Sequence, residues 1–179
     1  MGKIVHSNRL FKVERQNILV RGKRVDYYRV LKNNTSAILP LIDKSHILLE
    51  RQLRSPVGLK VYEIPAGHLK KGDTPLRAAK RELEEETGYK CSKIRLLTVT
   101  YPSPGILSSK EYIFVAEGLR KGRLHLDKDE EISLIGVSLE IAIDMIKSGE
   151  ISDAKSIVAI LYYCNFILGQ NLKIRVKNY

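Results

Sequence analysis

The 179-residue sequence has no Gly/Ser-rich or Pro-rich linker and no repeat at a fixed period, which excludes tethered modules and repeat arrays. Its longest apolar stretch, Ile157 to Cys164, falls far short of the ~20 residues a helix needs to cross a bilayer, so no membrane partner is expected. The opening Met1 to His6 lacks the apolar core and cleavage site of a secretory leader, and His6 stands where a myristoylation signal needs Ser or Thr. Cysteine is scarce. Cys91 and Cys164 cannot build a disulfide framework, and neither lies in a Cys-x-x-Cys or Cys/His cluster of the zinc-binding kind. A reducing cytoplasm is the compartment expected. Acidic side chains are outnumbered: 31 Lys and Arg against 20 Asp and Glu leave a charge of +11. An excess of that sign attracts phosphates, nucleic acid or an acidic membrane surface, although a solvated, charge-rich surface of the thermophile kind produces it equally well.

What is present is an ordinary globular balance, with 44% hydrophobic and 28% charged residues, which rules out a disordered or fibrous chain. The early residues read as strands. Leu10 to Val20 and Arg24 to Leu31 are rich in Val, Ile, Leu and Tyr and are joined across Arg21-Gly22-Lys23, a hairpin signal. Thr35 to Ile42 follows, then a turn at Asp43-Lys44-Ser45 and a strand from His46 to Gln52, whose Ile47-Leu48-Leu49 run implies burial on both faces. Helix periodicity begins at Thr74 to Glu86, where Leu76, Ala79 and Leu83 share one face and Gly88 supplies the stop. Asp73 or Thr74 can cap its start, with Pro75 near the first helical position. Strands are expected at Ile94 to Thr100, Tyr112 to Glu117 and Ile132 to Val137, and helices at Leu139 to Ser148 and Ala154 to Leu168, each ending at a glycine.

The informative constellation lies on the first helix. Glu82 and Glu86 are four apart and Glu82 and Glu85 three apart, so a helix gathers three carboxylates on one face. Like charges so close repel, and either Arg and Lys neighbours or a divalent cation must neutralise them. Carboxylate oxygens suit Mg²⁺ or Mn²⁺, and with no local His or Cys zinc is disfavoured. The preceding Pro65-Ala66-Gly67 turn, built of small residues, can bring a backbone carbonyl to the same ion. In a basic protein this points to metal-assisted chemistry on a phosphorylated substrate. The competing reading is a solvated helix face at Glu84 to Glu86.

The order of residues from Gly67 to Tyr89 resembles the Nudix box: Gly, five residues, Glu, seven residues, then Arg-Glu-hydrophobic-any-Glu-Glu-any-Gly-hydrophobic. Every fixed position matches but one, since Asp73 stands where the family has Glu. The shorter carboxylate is expected to serve as helix cap and dipole partner with little loss of catalysis. The resemblance implies an α+β Nudix fold, an α/β/α sandwich with a mixed β-sheet, plus a small N-terminal antiparallel β-sheet. It implies that Glu82 and Glu86 bind the principal metal ions, that Glu85 adds a ligand directly or through water, and that the Ala66 carbonyl completes the site. Arg81 is expected to hold the glutamates by a salt bridge.

Glu50 to Arg54 and Tyr62 to Gly67 are similar to the Gln-Tyr-Arg and Glu-x-Pro-Ala-Gly segments of ADP-ribose pyrophosphatases, with Leu53 in place of the common Tyr. Pro104 falls where ADP-sugar pyrophosphatases carry Pro, and the resemblance extends over roughly 36–168. It implies metal-dependent cleavage of ADP-ribose, or a related ADP-sugar, to AMP and ribose 5-phosphate. The general base is expected in the acidic loop Asp127 to Glu131, with Glu130 favoured and Asp129 and Glu131 as neighbours in register. Arg51 and Arg54 are candidates for gripping phosphate, Glu63 for accepting from ribose hydroxyls, and Tyr28 or Tyr27 for stacking on adenine. Core packing should claim at least one tyrosine of that pair, because adjacent strand residues point to opposite faces. Ser103 and Gly105 are expected to touch substrate. A family Glu after Ser-Pro-Gly is replaced by Ser109, with Glu111 two residues on as its substitute.

The resemblance also implies a homodimer in which residues 1–35, a β-strand region, are exchanged, while 36–179 form the Nudix hydrolase domain. A sheet too small to bury itself supports that division. Two alternatives stay open: a different nucleoside diphosphate derivative on the same helix, such as NADH, an oxidised nucleotide, a dinucleoside polyphosphate or capped RNA, and a non-catalytic nucleotide- or RNA-binding module for which the positive charge is the operative feature. Intact Glu82, Glu85 and Glu86 argue against the second, since without a cation they repel phosphate.

Overall fold

Residues 2–127 and 130–169 are described by the computed structural model. The chain begins with an antiparallel sheet of β1 (Lys3–Ser7), β2 (Lys12–Val20) and β3 (Lys23–Leu31), with β2 in the middle. The β2–β3 hairpin forms as its turn chemistry predicts. Val20 pairs with Lys23, and Arg21 and Gly22 both take positive φ, the two-residue turn whose twist matches the flanking strands. Core packing claims neither Tyr27 nor Tyr28, contrary to the alternation argument: they are 41% and 50% exposed. A three-stranded sheet without a packed layer has no interior on either face. Tyr27 instead donates its hydroxyl to the Gly105 carbonyl at 2.6 Å.

The rest of the chain is built around a mixed four-stranded sheet in the order β7 (Ala66–His68), β4 (Thr35–Pro40), β9 (Glu111–Lys121), β8 (Tyr89–Thr100). The β4 and β9 strands are parallel, and the other two pairings are antiparallel. Alternation along β4 makes this sheet the middle layer. Ile38 packs with Ala79 and Leu83 of α1 (Pro75–Thr87), whereas Ala37 and Leu39 join the larger core with residues of α2 (Leu139–Ser148) and α3 (Ala154–Tyr162). The architecture is the α+β sandwich expected. A second, antiparallel sheet, β10 (Ile132–Ser138), β5 (His46–Arg54), β6 (Leu59–Glu63), lies beside it, and Ile47, Leu48 and Leu49 are all buried as their run predicts.

The α1 helix starts where its capping signals lie. Thr74 accepts from the Arg77 N–H at 3.2 Å, Pro75 fills the first helical position, and Gly88 closes the helix at φ 71°, a conformation a side chain would strain. Asp73 is not the cap: its carboxylate accepts from the Lys70 N–H at 3.1 Å and lies 3.5 Å from the Arg81 guanidinium. Three strands have no clear sequence signal. β1 is short and exposed, β6 is short, and β7 reads as a turn because Pro65 precedes it and Gly67 is one of its only three paired residues. The last helix keeps α geometry only to Tyr162 and then widens into one π-helical turn, Tyr163–Ile167. There the Asn165 side chain takes the Leu161 carbonyl at 2.8 Å, competing with the backbone ladder. Among the described residues, no helix is long and apolar enough to cross a membrane.

Candidate active site

A cleft of about 550 Å³ is walled by α1, β7, the ends of β5 and β6, the first turn of α3 and the side chains of His125, Asp127 and Glu130. The helical periodicity that buries Ala79 and Leu83 turns Glu82, Glu85 and Glu86 toward this cleft. Glu82 and Glu86 are buried, Glu85 is partly open, and Glu84 turns away to pair with Lys90 at 3.2 Å. The solvated-face reading therefore fails for all but Glu84 and the outer part of Glu85. Glu86 accepts from the Ala66 N–H at 2.8 Å, which ties the helix to β7.

Arg81 occupies the place expected of it. Its guanidinium lies 2.7 Å from Glu82 and 2.8 Å from Glu85 and also donates to the His68 carbonyl at 3.0 Å. Burial raises the Glu82 carboxyl above its ordinary range, with Arg81 opposing that rise. Gly67 is required by the same packing, because a Cβ there would sit 2.0 Å from Glu82 Oε1. Gly67→Ala should displace the Glu82 carboxylate from Arg81 and destabilise the chain by about 1–3 kcal/mol. A thermal melt checks this, and an unchanged midpoint would show that the backbone and helix are not in such close contact.

The facing wall carries two cations, Arg54 and Lys155, each already paired with a carboxylate. Arg54 donates two bonds to Glu63, at 2.7 and 2.8 Å, and Lys155 reaches the same carboxylate at 2.5 Å and Asp153 at 3.0 Å. Glu63 is 2% exposed; both its oxygens accept from Arg54 and Oε2 also from Lys155, so it holds these two cations in place. The first turn of α3 fixes this wall: Asp153 caps the helix, and the Ser156 hydroxyl accepts from the Ile64 N–H at 2.8 Å. Glu130 lines the cleft, whereas Glu131 turns out to Lys60 at 3.2 Å; Asp129 lies outside the described residues. Glu111 lines the cleft too, its carboxyl raised by burial, while Ser109 is buried elsewhere.

Four expected site residues are not brought to this cleft. Arg51 and Arg54 are an odd number apart on β5 and so point to opposite faces; Arg51 stacks over the Tyr62 ring at 5.4 Å. Tyr28, Ser103 and Gly105 lie off the cleft of their own chain. Residues the sequence reading did not assign are Lys155, Asp153 and Glu50. Glu50 carries one usable signal, a charge directly after a doubly buried apolar run.

His68 and His125 also line the cleft, which corrects the expectation of no nearby imidazole. Even so, among the described residues no three His, Cys, Asp or Glu side chains converge as a ready cation cage. The donor set nevertheless fits a hard divalent cation: buried carboxylates outnumber their local cations, and burial raises both the Glu50 carboxyl, with Glu63 adding to the rise, and the Glu86 carboxyl, with Glu50 adding to it.

Residues 32–158 match the NUDIX domain model. An ADP-ribose pyrophosphatase of Bacillus subtilis (strain 168) is 41% identical over 128 residues, covering 70% of this chain and 69% of that protein. A methanol dehydrogenase activator of Bacillus methanolicus is 32% identical over 161 residues, 88% of this chain and 87% of that one. In three dimensions the chain is similar to the crystal structure of an ADP compounds hydrolase, with a TM-score of 0.85 and 26% identity over 96% of this chain and 94% of that chain. A family match over most of the length, with the signature glutamates gathered in one cleft, establishes that this chain belongs to the NUDIX domain family.

Proposed function

We propose that the chain hydrolyses the diphosphate of ADP-ribose, or of a closely similar ADP-sugar, to AMP and the sugar phosphate. The observation that carries this reading is one cleft in which Glu82, Glu85 and Glu86 of the signature helix face Arg54 and Lys155, side chains held in place by Glu63 and Asp153. A diphosphate bridged by a divalent cation presents a positive ion on one side and bare anionic oxygens on the other, and fits between such walls. The Bacillus subtilis relative's name supports the substrate.

Nudix enzymes of this type are metal-dependent, and Mg²⁺, or Mn²⁺ in its place, is the cation we assign, held by Glu82, Glu85, Glu86 and the backbone at Ala66. When bound, the cation neutralises diphosphate oxygens and eases attack on phosphorus. Everything else falls to the chain. Arg54, fixed by Glu63, donates to the phosphate oxygens, and Arg81 keeps Glu82 and Glu85 in register. Glu130 accepts a proton from water as the water oxygen bonds to phosphorus and the bond to the bridging oxygen breaks, leaving two monophosphates.

The N-terminal sheet, residues 1–35, is assigned as the exchange element of a homodimer, with 36–179 as the hydrolase domain. Exposed Ile4, Val5, Leu19, Val25 and Tyr28 on an uncovered sheet support this. Tyr28, Arg51, Ser103 and Gly105 then belong to adenine and ribose contacts completed by the second copy. Two unpaired cysteines, Cys91 and Cys164, suit the cytoplasm.

The test is product analysis after incubation with ADP-ribose, ADP-glucose, NADH, diadenosine tetraphosphate and 8-oxo-dGTP, with Mg²⁺ and with EDTA. ADP-ribose should be cleaved fastest, to AMP and ribose 5-phosphate, and not at all in EDTA. Failure to cleave any of them would put a binding module in its place, whose signature would be a steep fall of RNA affinity with salt.

A further inference from the structure

We propose that Glu50 is a further carboxylate of the divalent-cation seat, acting with Glu86 from behind the cleft. The inference rests on the metal-dependent reading above. Glu50 is fully buried, and neither of its carboxylate oxygens has a hydrogen-bond partner. Burying a carboxylate in that condition is expensive, and native interiors do so only where a counter-charge or an ion completes the environment.

The surroundings of Glu50 place it behind the cleft. On β5 it shares a strand face with Arg54, and it sits directly opposite Glu63 of β6. The charges that act on it are those of Glu63, Lys155, Arg54 and Glu130, all cleft residues. Of the charges acting on Glu86, that of Glu50 is the largest.

Six carboxylates in and behind the cleft fall into three groups by charge balance. Glu82 and Glu85 have Arg81. Glu63 and Asp153 have Arg54 and Lys155, within 2.5–3.0 Å. Among the described residues Glu50 and Glu86 have no cation in direct contact: Glu86 has one backbone N–H and Glu50 no hydrogen-bond partner. Two buried carboxylates without a cation partner match one divalent ion in charge and in donor type.

Mn²⁺ binding to the full-length chain at pH 7.5, without substrate, tests this by the loss of the free-ion electron paramagnetic resonance signal. Glu50→Gln keeps the shape and removes the charge. It should weaken Mn²⁺ binding about 10–100-fold while the metal-free melting temperature holds or rises. Glu50→Asp, which keeps the charge on a shorter arm, should bind Mn²⁺ more tightly than Glu50→Gln, and decides the matter if the glutamine variant does not fold. Affinity in Glu50→Gln within twofold of wild type would overturn the proposal, as would a wild type that binds no Mn²⁺. A wild type that binds Mn²⁺ but cleaves no ADP-ribose would strike the functional reading alone, and the ratio of affinities would still decide the role of Glu50.

Discussion

Glu86→Gln should lower the turnover of ADP-ribose by on the order of 10²–10³-fold and leave the fold intact. Glu86 is 4% exposed, and its carboxylate accepts the Ala66 N–H at 2.8 Å. Glutamine can keep that bond, because its amide oxygen is an acceptor of the same reach. What it loses is the negative charge that the cation needs on the α1 wall. Burial, with the charges of Glu50 and Glu82 added, raises the Glu86 carboxyl well above its ordinary range, so the charge destabilises the metal-free protein. The variant should therefore melt no lower than wild type without metal and lose the stabilisation that added Mg²⁺ confers. Product assays with Mg²⁺ and melts with and without it are the measurement. Turnover within threefold of wild type would remove Glu86 from the cation site.

The metal-free protein should lose stability as pH rises from about 4.5 to about 8. Burial pushes the Glu50 carboxyl up to about 8 from 4.5, with Glu63 adding to the rise, and Glu86 is raised as well. A carboxyl that holds its proton more tightly in the folded state favours folding fully below its unfolded value. That contribution is lost as pH climbs through the folded value. For Glu50 alone the difference corresponds to at most about 5 kcal/mol, and water entering near the charged form reduces it. Asp43 works in the opposite direction, held down to about 2 by the Ser45 N–H and by His46, so its contribution disappears only under more acid conditions and leaves this window undisturbed. Urea unfolding between pH 5 and 8.5 in EDTA should show the decline in wild type and a flatter profile in Glu50→Gln. Parallel profiles would mean that Glu50 is not the group responsible. Mn²⁺ at pH 8 should restore the wild-type loss.

The parts of the site legible in the sequence are those whose determinants lie within one element. The α1 helix is recognisable because its apolar repeat, its Thr74 cap, Pro75 and Gly88 all fall inside a short segment and act over four residues or fewer. The same periodicity places Glu82, Glu85 and Glu86 together before any tertiary contact is known. Strand alternation distinguishes Arg51 from Arg54, but it does not say which face meets the helix. Asp73 shows the reverse case. Beside Thr74 it reads as a cap, and only the fold shows its carboxylate turned to Lys70 and Arg81.

By itself, then, the sequence determined the family, the carboxylate helix with its caps, the buried β5 strand and the alternation that separates neighbouring side chains. The tertiary structure alone decided the charge environment: that Lys155 and Ser156, each 92 residues from their partners Glu63 and Ile64, close the wall facing α1, and that Glu50 and Glu86 are both buried with, among the described residues, no cation in contact. It also decided that Tyr27 and Tyr28 find no core within this chain. The reason is one of range. Helix periodicity and capping are settled by neighbours a few residues away, whereas the burial of a charge and the identity of its counter-ion depend on which distant strands and helix ends fold over it.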